Sequence, residues 1–146
     1  MRTMILTELM EPALELVPHA TAAETIRTML DRHMDVGVVL EEKRPRGIIT
    51  EQELVERLAT TPDSDGARLA VTQVMRQIET APVSMATVDA ARLMRERHVQ
   101  HLALVEDDGQ FRGVVGLRRV LMDVMDDQDL KLDNLERELM ADGPGG

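Results

Sequence analysis

A chain of 146 residues fits one domain or two small halves sharing a core, and its 43% hydrophobic content is enough to build that core. A net charge of −10 argues against general binding to nucleic-acid phosphates, and the absence of cysteine rules out disulfides and thiolate metal sites. No apolar run approaches the roughly 18 residues needed to cross a bilayer.

Taken in chain order, residues 1–10 carry one Arg and then Glu8 inside their only apolar run, so they do not read as a secretory signal, and the cytoplasm is the expected compartment. A proline-containing turn then precedes a helix predicted over residues 21–33, with Ala22, Ile26, Met29 and Leu30 on one face. An unbroken apolar strand, Val36 to Leu40, is expected to be buried on both sides. A turn over 42–46 leads to the strand Ile48-Ile49 and directly into a helix over 51–59. Residues 61–70, with Pro62, Asp63, Ser64, Asp65 and Gly66, read as a linker.

The same order then returns. A helix is predicted over 86–98 with Ala90, Leu93 and Met94 on one face, then a strand from Leu102 to Val105. A turn over 107–112 carries Asp108-Gly109, the strand Val114-Val115 follows, and a helix covers 117–126. Beyond it, Leu121, Met125, Gln128, Leu132, Leu135 and Leu139 are spaced 4, 3, 4, 3 and 4 apart, the seam of a long helix. That stripe packs either on its own domain or across to a second subunit. Gly143 to Gly146 reads as a flexible tail. Phe111 is the only aromatic residue, so aliphatic side chains and methionines must fill the core.

The recurrence is residue by residue. Thr7-Glu8-Leu9-Met10 matches Thr72-Gln73-Val74-Met75, and Glu24, Arg27, Met29, Asp31, Arg32 and His33 match Asp89, Arg92, Met94, Glu96, Arg97 and His98. Leu40-Glu41 matches Val105-Glu106, and Gly47-Ile48-Ile49 matches Gly113-Val114-Val115. The offset stays between 64 and 66, as expected of a duplication with single insertions in loops. Each copy is a βαββα unit, giving an α+β fold.

This duplicated unit, with Gly-hydrophobic-hydrophobic-Thr-x-x-acidic near its end, resembles the cystathionine-β-synthase (CBS) repeat, two of which form a Bateman module. On that resemblance, residues 4–60 are repeat 1, 61–70 the linker, 71–126 repeat 2, 127–142 a C-terminal helix extension and 143–146 the tail. The resemblance implies two repeats packed about a pseudo-twofold axis, homodimerisation, and adenine-nucleotide binding between the repeats. Family members that bind nucleotides hold the ribose with the Thr and Asp of Gly-x-x-Thr-x-x-Asp, because a carboxylate can accept from both vicinal hydroxyls. Here Thr50 stands in the Thr position and Glu53 replaces the Asp. The second repeat reads Gly113-Val114-Val115-Gly116-Leu117-Arg118-Arg119, so both polar groups are lost and one of the two sites is expected to be dead.

By the same resemblance, Arg118 would reach the phosphates of a ligand on Thr50 and Glu53, and His101 would add charge. Ile78 would line the adenine face, with Ile48 on the strand beneath. Arg suits forked phosphate contacts. Each residue also has a purely structural reading. Thr50 and Glu53 can form a capping box on the helix at 51–59, Arg118 can be a solvated helix residue, and His101 can be an ordinary half-buried histidine. His33 and His98 sit at equivalent helix ends and are read as structural.

The chain carries no nucleophile motif, catalytic-metal spacing or glycine-rich phosphate loop. The acidic run Asp126-Asp127-x-Asp129 is expected to be a solvated cluster rather than a cation site. The expected function is therefore a regulatory, non-catalytic module that requires no cofactor. It would sense AMP, ADP, ATP or S-adenosylmethionine. The alternative is a ligand-free dimeric interaction module that uses its acidic C-terminal helix.

Overall fold

The computed structural model describes residues 4–66, 68–126 and 137. The expected C-terminal helix extension and tail therefore lie outside the described residues, apart from Arg137.

After a 3-10 turn (Leu6–Leu9), strand β1 (Leu14–Leu16) alternates buried, exposed, buried. It pairs in parallel with β2 (Val36–Glu41), and a parallel pair needs a crossover, which helix α1 (Ala22–Arg32) supplies. The Thr21 hydroxyl accepts from the Glu24 N–H at 3.2 Å and starts α1. His33 ends the helix in the left-handed region, at φ 54 and ψ 44. Strand β3 (Arg44–Thr50) returns antiparallel through Glu42 and Lys43, whose φ values of 54 and 65 make the two-residue turn that suits twisted strands. Thr50 is both the last residue of β3 and the N-cap of α2 (Glu51–Ala59). The linker contains one further helical turn, α3 (Asp63–Gly66).

The second half repeats the plan with β5 (Thr80–Pro82), α4 (Thr87–Arg97), β6 (His101–Val105), β7 (Phe111–Gly116) and a helix over 117–126, here α5. His98 ends α4 at φ 54 and ψ 42, matching His33. Each hairpin carries one bulge at the corresponding place, opposite Val39/Leu40 and Leu104/Val105. The residue added by each bulge is an arginine, and Arg46 and Arg112 pair with Glu41 and Glu106.

One expected face is corrected. Leu30, placed on the buried side of α1, is 57% exposed, while Thr25 is only 2% exposed. The Thr25 hydroxyl donates to the Thr21 carbonyl at 2.8 Å, so its polar group is satisfied within the helix and its methyl turns inward.

The two halves complete each other. Leu6 and Leu9, at the start of the chain, belong to the core of the second half with Met94, Leu102 and Val115. Conversely, Leu69, near the end of the linker, and Val71, just past it, belong to the core of the first half with Met29, Ile49 and Leu54. Backbone pairing follows the same exchange. Strand β4 (Arg76–Gln77) joins the β1-β2-β3 sheet as its fourth strand, and Glu11 bridges to Val114 in the β5-β6-β7 half. A Cβ on Gly47 would overlap the Met75 sulfur and press on the Arg76 carbonyl, and one on Gly113 would overlap the Met10 sulfur, so at both crossings a methionine lies close over a glycine. A third cluster seals the midline, with Val114 against Val36, Val38 and Ile48.

Candidate functional site

The midline leaves two adjoining cavities, of about 540 and 380 Å³, each lined by Thr50, Gln52 and Glu56 from one repeat and by Gln100 and His101 from the other. The larger also touches Asp35, Val36, Glu51 and Val55. The smaller adds Glu53, Arg76, His98 and Val99. Both volumes fall in the roughly 300–1,000 Å³ range of small-molecule sites.

Thr50 reaches this place because β3 runs into α2 without a loop. Its hydroxyl accepts from the Glu53 N–H at 3.2 Å, and Glu53 Oε1 accepts in turn from the Thr50 N–H at 3.1 Å, a complete capping box. The Thr50 hydroxyl also donates to Glu53 Oε1 at 2.9 Å. The other carboxylate oxygen, Oε2, accepts from Arg76 Nε at 2.6 Å. Burial pushes the Glu53 carboxyl up, but the hydrogen bonds from Arg76 and Thr50, with the Arg76 charge, outweigh it and hold the group below its usual range.

His101 opens β6 and faces this cluster from the other repeat. Its Nδ1 is buried with no hydrogen-bond partner. Burial pulls the imidazole below its ordinary value. The charge of Arg76 adds to that effect, while Glu11, Asp35 and Glu53 act against it.

The structure thus brings Thr50, Glu53 and His101 to one wall. Ile48, 2% exposed, lies in the midline cluster, and Ile78 is partly buried against it. Arg118 does not join them. It is exposed on the first turn of α5 and lines neither cavity. Helix α5 follows β7 as α2 follows β3, so by the repeat its first turn corresponds to that of α2 in a companion cleft.

The cation that faces Glu53 is Arg76, which sequence reasoning missed. The signal lay in the repeat itself, since Met75-Arg76 aligns with Met10-Glu11 and the charge changes sign at a paired position. In the companion cleft Gly116 leaves room for the Glu11 carboxylate, and a Cβ there would come 2.6 Å from Glu11 Oε1. Thr50 and Arg76 on one side are thus replaced by Gly116 and Glu11 on the other. Among the described residues, no group of acidic or histidine side chains is arranged to hold a metal ion, and no helix is long and apolar enough to cross a membrane.

Comparison with solved structures finds the same architecture. The chain superposes on the CBS domain of a bacterial CNNM/CorC-family Mg2+ transporter in complex with ATP, with a TM-score of 0.72 and 17% identity over 83% of this chain and 87% of that one. It also superposes on a CBS domain protein from Pyrobaculum aerophilum complexed with AMP, with a TM-score of 0.68 and 21% identity over 80% of this chain and 89% of that one. Among curated sequences, an uncharacterized protein of Methanopyrus kandleri is 28% identical over 71% of this chain, and an uncharacterized protein of Acidianus ambivalens is 27% identical over 73%. The chain spans 54% and 66% of the lengths of those two relatives. A family profile described as the CBS domain matches residues 6–60 and again residues 71–126. With two matched repeats, reciprocal cores and a shared midline, the chain belongs to the CBS domain family as a tandem pair.

Proposed function

We propose that this CBS pair is a regulatory, non-catalytic sensing module that holds one adenine nucleotide or related adenosyl compound in the cleft at Thr50. The carrying observation is that Thr50 and Glu53 of one repeat share a cavity with Gln100 and His101 of the other. The AMP and ATP complexes of structurally similar CBS proteins support the ligand class. The ribose would lie against Thr50 and Glu53, above Ile48 and Ile78. The phosphate would point to Arg76, His98 and His101, a role first expected of Arg118. A bound ligand would fix the angle between the repeats, and a partner would read that change. The module is proposed to act in the cytoplasm as a homodimer.

Charge orders the ligands. Among the described lining of the two cavities, Arg76 is the single lysine or arginine, set against Asp35, Glu51, Glu53 and Glu56. Each added phosphate therefore meets more repulsion, so AMP should bind more tightly than ADP, and ADP more tightly than ATP. S-adenosylmethionine, which carries positive charge, should be tolerated. Thermal melts with each compound test this, because a ligand at 100 times its dissociation constant adds about 2.7 kcal/mol. A melt that no compound moves at millimolar concentration would end the nucleotide reading.

One observation favours the second reading, a ligand-free interaction module. Glu53 Oε1 already accepts from the Thr50 N–H and hydroxyl, and Oε2 from Arg76, so little of the carboxylate's acceptor capacity is left for a ribose. Arg76→Ala separates the two readings. Freeing Glu53 should alter affinity for AMP in the sensing module and should alter nothing but stability in the interaction module.

A further inference from the structure

Two histidines line the Thr50 cleft, and their settings differ. His98, the left-handed cap of α4, is exposed and lines the smaller of the two cavities. His101 opens β6, is half-buried and lines both. Its Nδ1 is sealed from solvent with no hydrogen-bond partner. A protonated imidazole carries an N–H on each nitrogen, so in the free cleft the cation would bury an unmet donor as well as its charge.

Charged groups approach this ring from several elements. Glu11 comes from the stretch before β1, Asp35 from the turn before β2, Glu53 from α2 and Arg76 from β4. Glu51 and Glu56 of α2 share its cavities. Among the described residues, no carboxylate lies within ion-pair distance of the imidazole, and Glu53 is already paired with Arg76 at 2.6 Å. The ring therefore stands among charges without a partner of its own. An anionic group brought into either cavity would supply one, in a setting where attraction between charges exceeds that in water.

We propose that His101 makes ligand binding in this cleft proton-linked: an anionic ligand and a proton enter together, so affinity rises as pH falls. The inference rests on the nucleotide reading of the cleft and adds control by pH to it. At high pH the ring is neutral in both states and the linkage is absent. As pH falls through the range where the ring of the complex titrates, affinity climbs by at most about tenfold per pH unit for one proton. The gain stops once the free ring is protonated as well.

Calorimetric titration with AMP between about pH 8 and pH 6.5 tests this, a window above the phosphate's own ionisation at about 6. Wild-type affinity should tighten at least about threefold as pH falls, with proton uptake seen as a buffer-dependent heat, and His101→Gln should flatten that slope. A measurement on the wild type alone removes any doubt about folding of the variant. By NMR, the His101 ring, assigned through bonds to its own backbone, should titrate at higher pH with saturating AMP than without. AMP binding with a flat pH profile, a ring midpoint that AMP does not raise, or a slope kept in His101→Gln but lost in His98→Gln would overturn the linkage and leave the cleft as a nucleotide site. No AMP binding at any pH would remove both.

Discussion

Glu53 joins a helix cap, an ion pair and a candidate ligand contact in one carboxylate. Thr50→Ala removes the capping hydroxyl, and loss of an N-cap of this kind costs about 1 kcal/mol, measurable as a lowered denaturant midpoint. His101 sets a second, pH-dependent contribution. Its folded value lies below the ordinary 6.5, so the unfolded chain binds the proton more readily. The stabilisation is therefore complete above about pH 6.5 and is lost as pH falls through the lower folded value. His101→Gln should flatten the slope of stability against pH in that window, as read by denaturant melts at successive pH values. An unchanged slope would place the titration elsewhere. At this scale the sequence was half legible. Gly-x-x-Thr-x-x-Glu pointed to Thr50 and Glu53, because a motif keeps its own residues adjacent. Arg76 was hidden because it arrives from a crossing strand 23 positions away, and no local pattern encodes that meeting.

The elements followed closely from periodicity and punctuation. Helix α1 was expected over 21–33 and runs Ala22–Arg32, and α4 was expected over 86–98 and runs Thr87–Arg97. Strand β4 was not expected, because a two-residue segment is too short to show a period. The repeat also exposes one weak helix start. Thr21 caps α1, but the corresponding start of α4 has Ala86, which offers no side-chain bond. Ala86 is exposed and has extended backbone angles, φ −69 and ψ 147, suited to a capping residue. Ala86→Ser should therefore stabilise the protein by about 0.5–2 kcal/mol, seen as a raised melting temperature, with ligand affinity unchanged. A neutral or lower melt would show that α4 is started by packing of Thr87 rather than by its cap.

The molecule as a whole is held by mutual completion. Without Leu69, Val71 and β4, the first half lacks part of its core and the edge strand of its sheet. A fragment of residues 1–66 should thus show no cooperative melt alone, and adding the fragment 67–146 should restore one, followed by circular dichroism. A sharp melt of the first fragment by itself would refute the interdependence. The duplication announced the α+β architecture, but it could not announce which arm crosses to which half, because both arrangements leave the same hydrophobic pattern.

That crossing has an evolutionary corollary. A solitary unit, with its leading arm unsheltered, could become whole only by clasping an identical twin, and two twins necessarily present two identical crevices. Once a peptide tether fuses the pair, every site is written twice in the gene and each copy can drift alone. Thr50 opposite Gly116, and Arg76 opposite Glu11, are differences that no assembly of like subunits could hold.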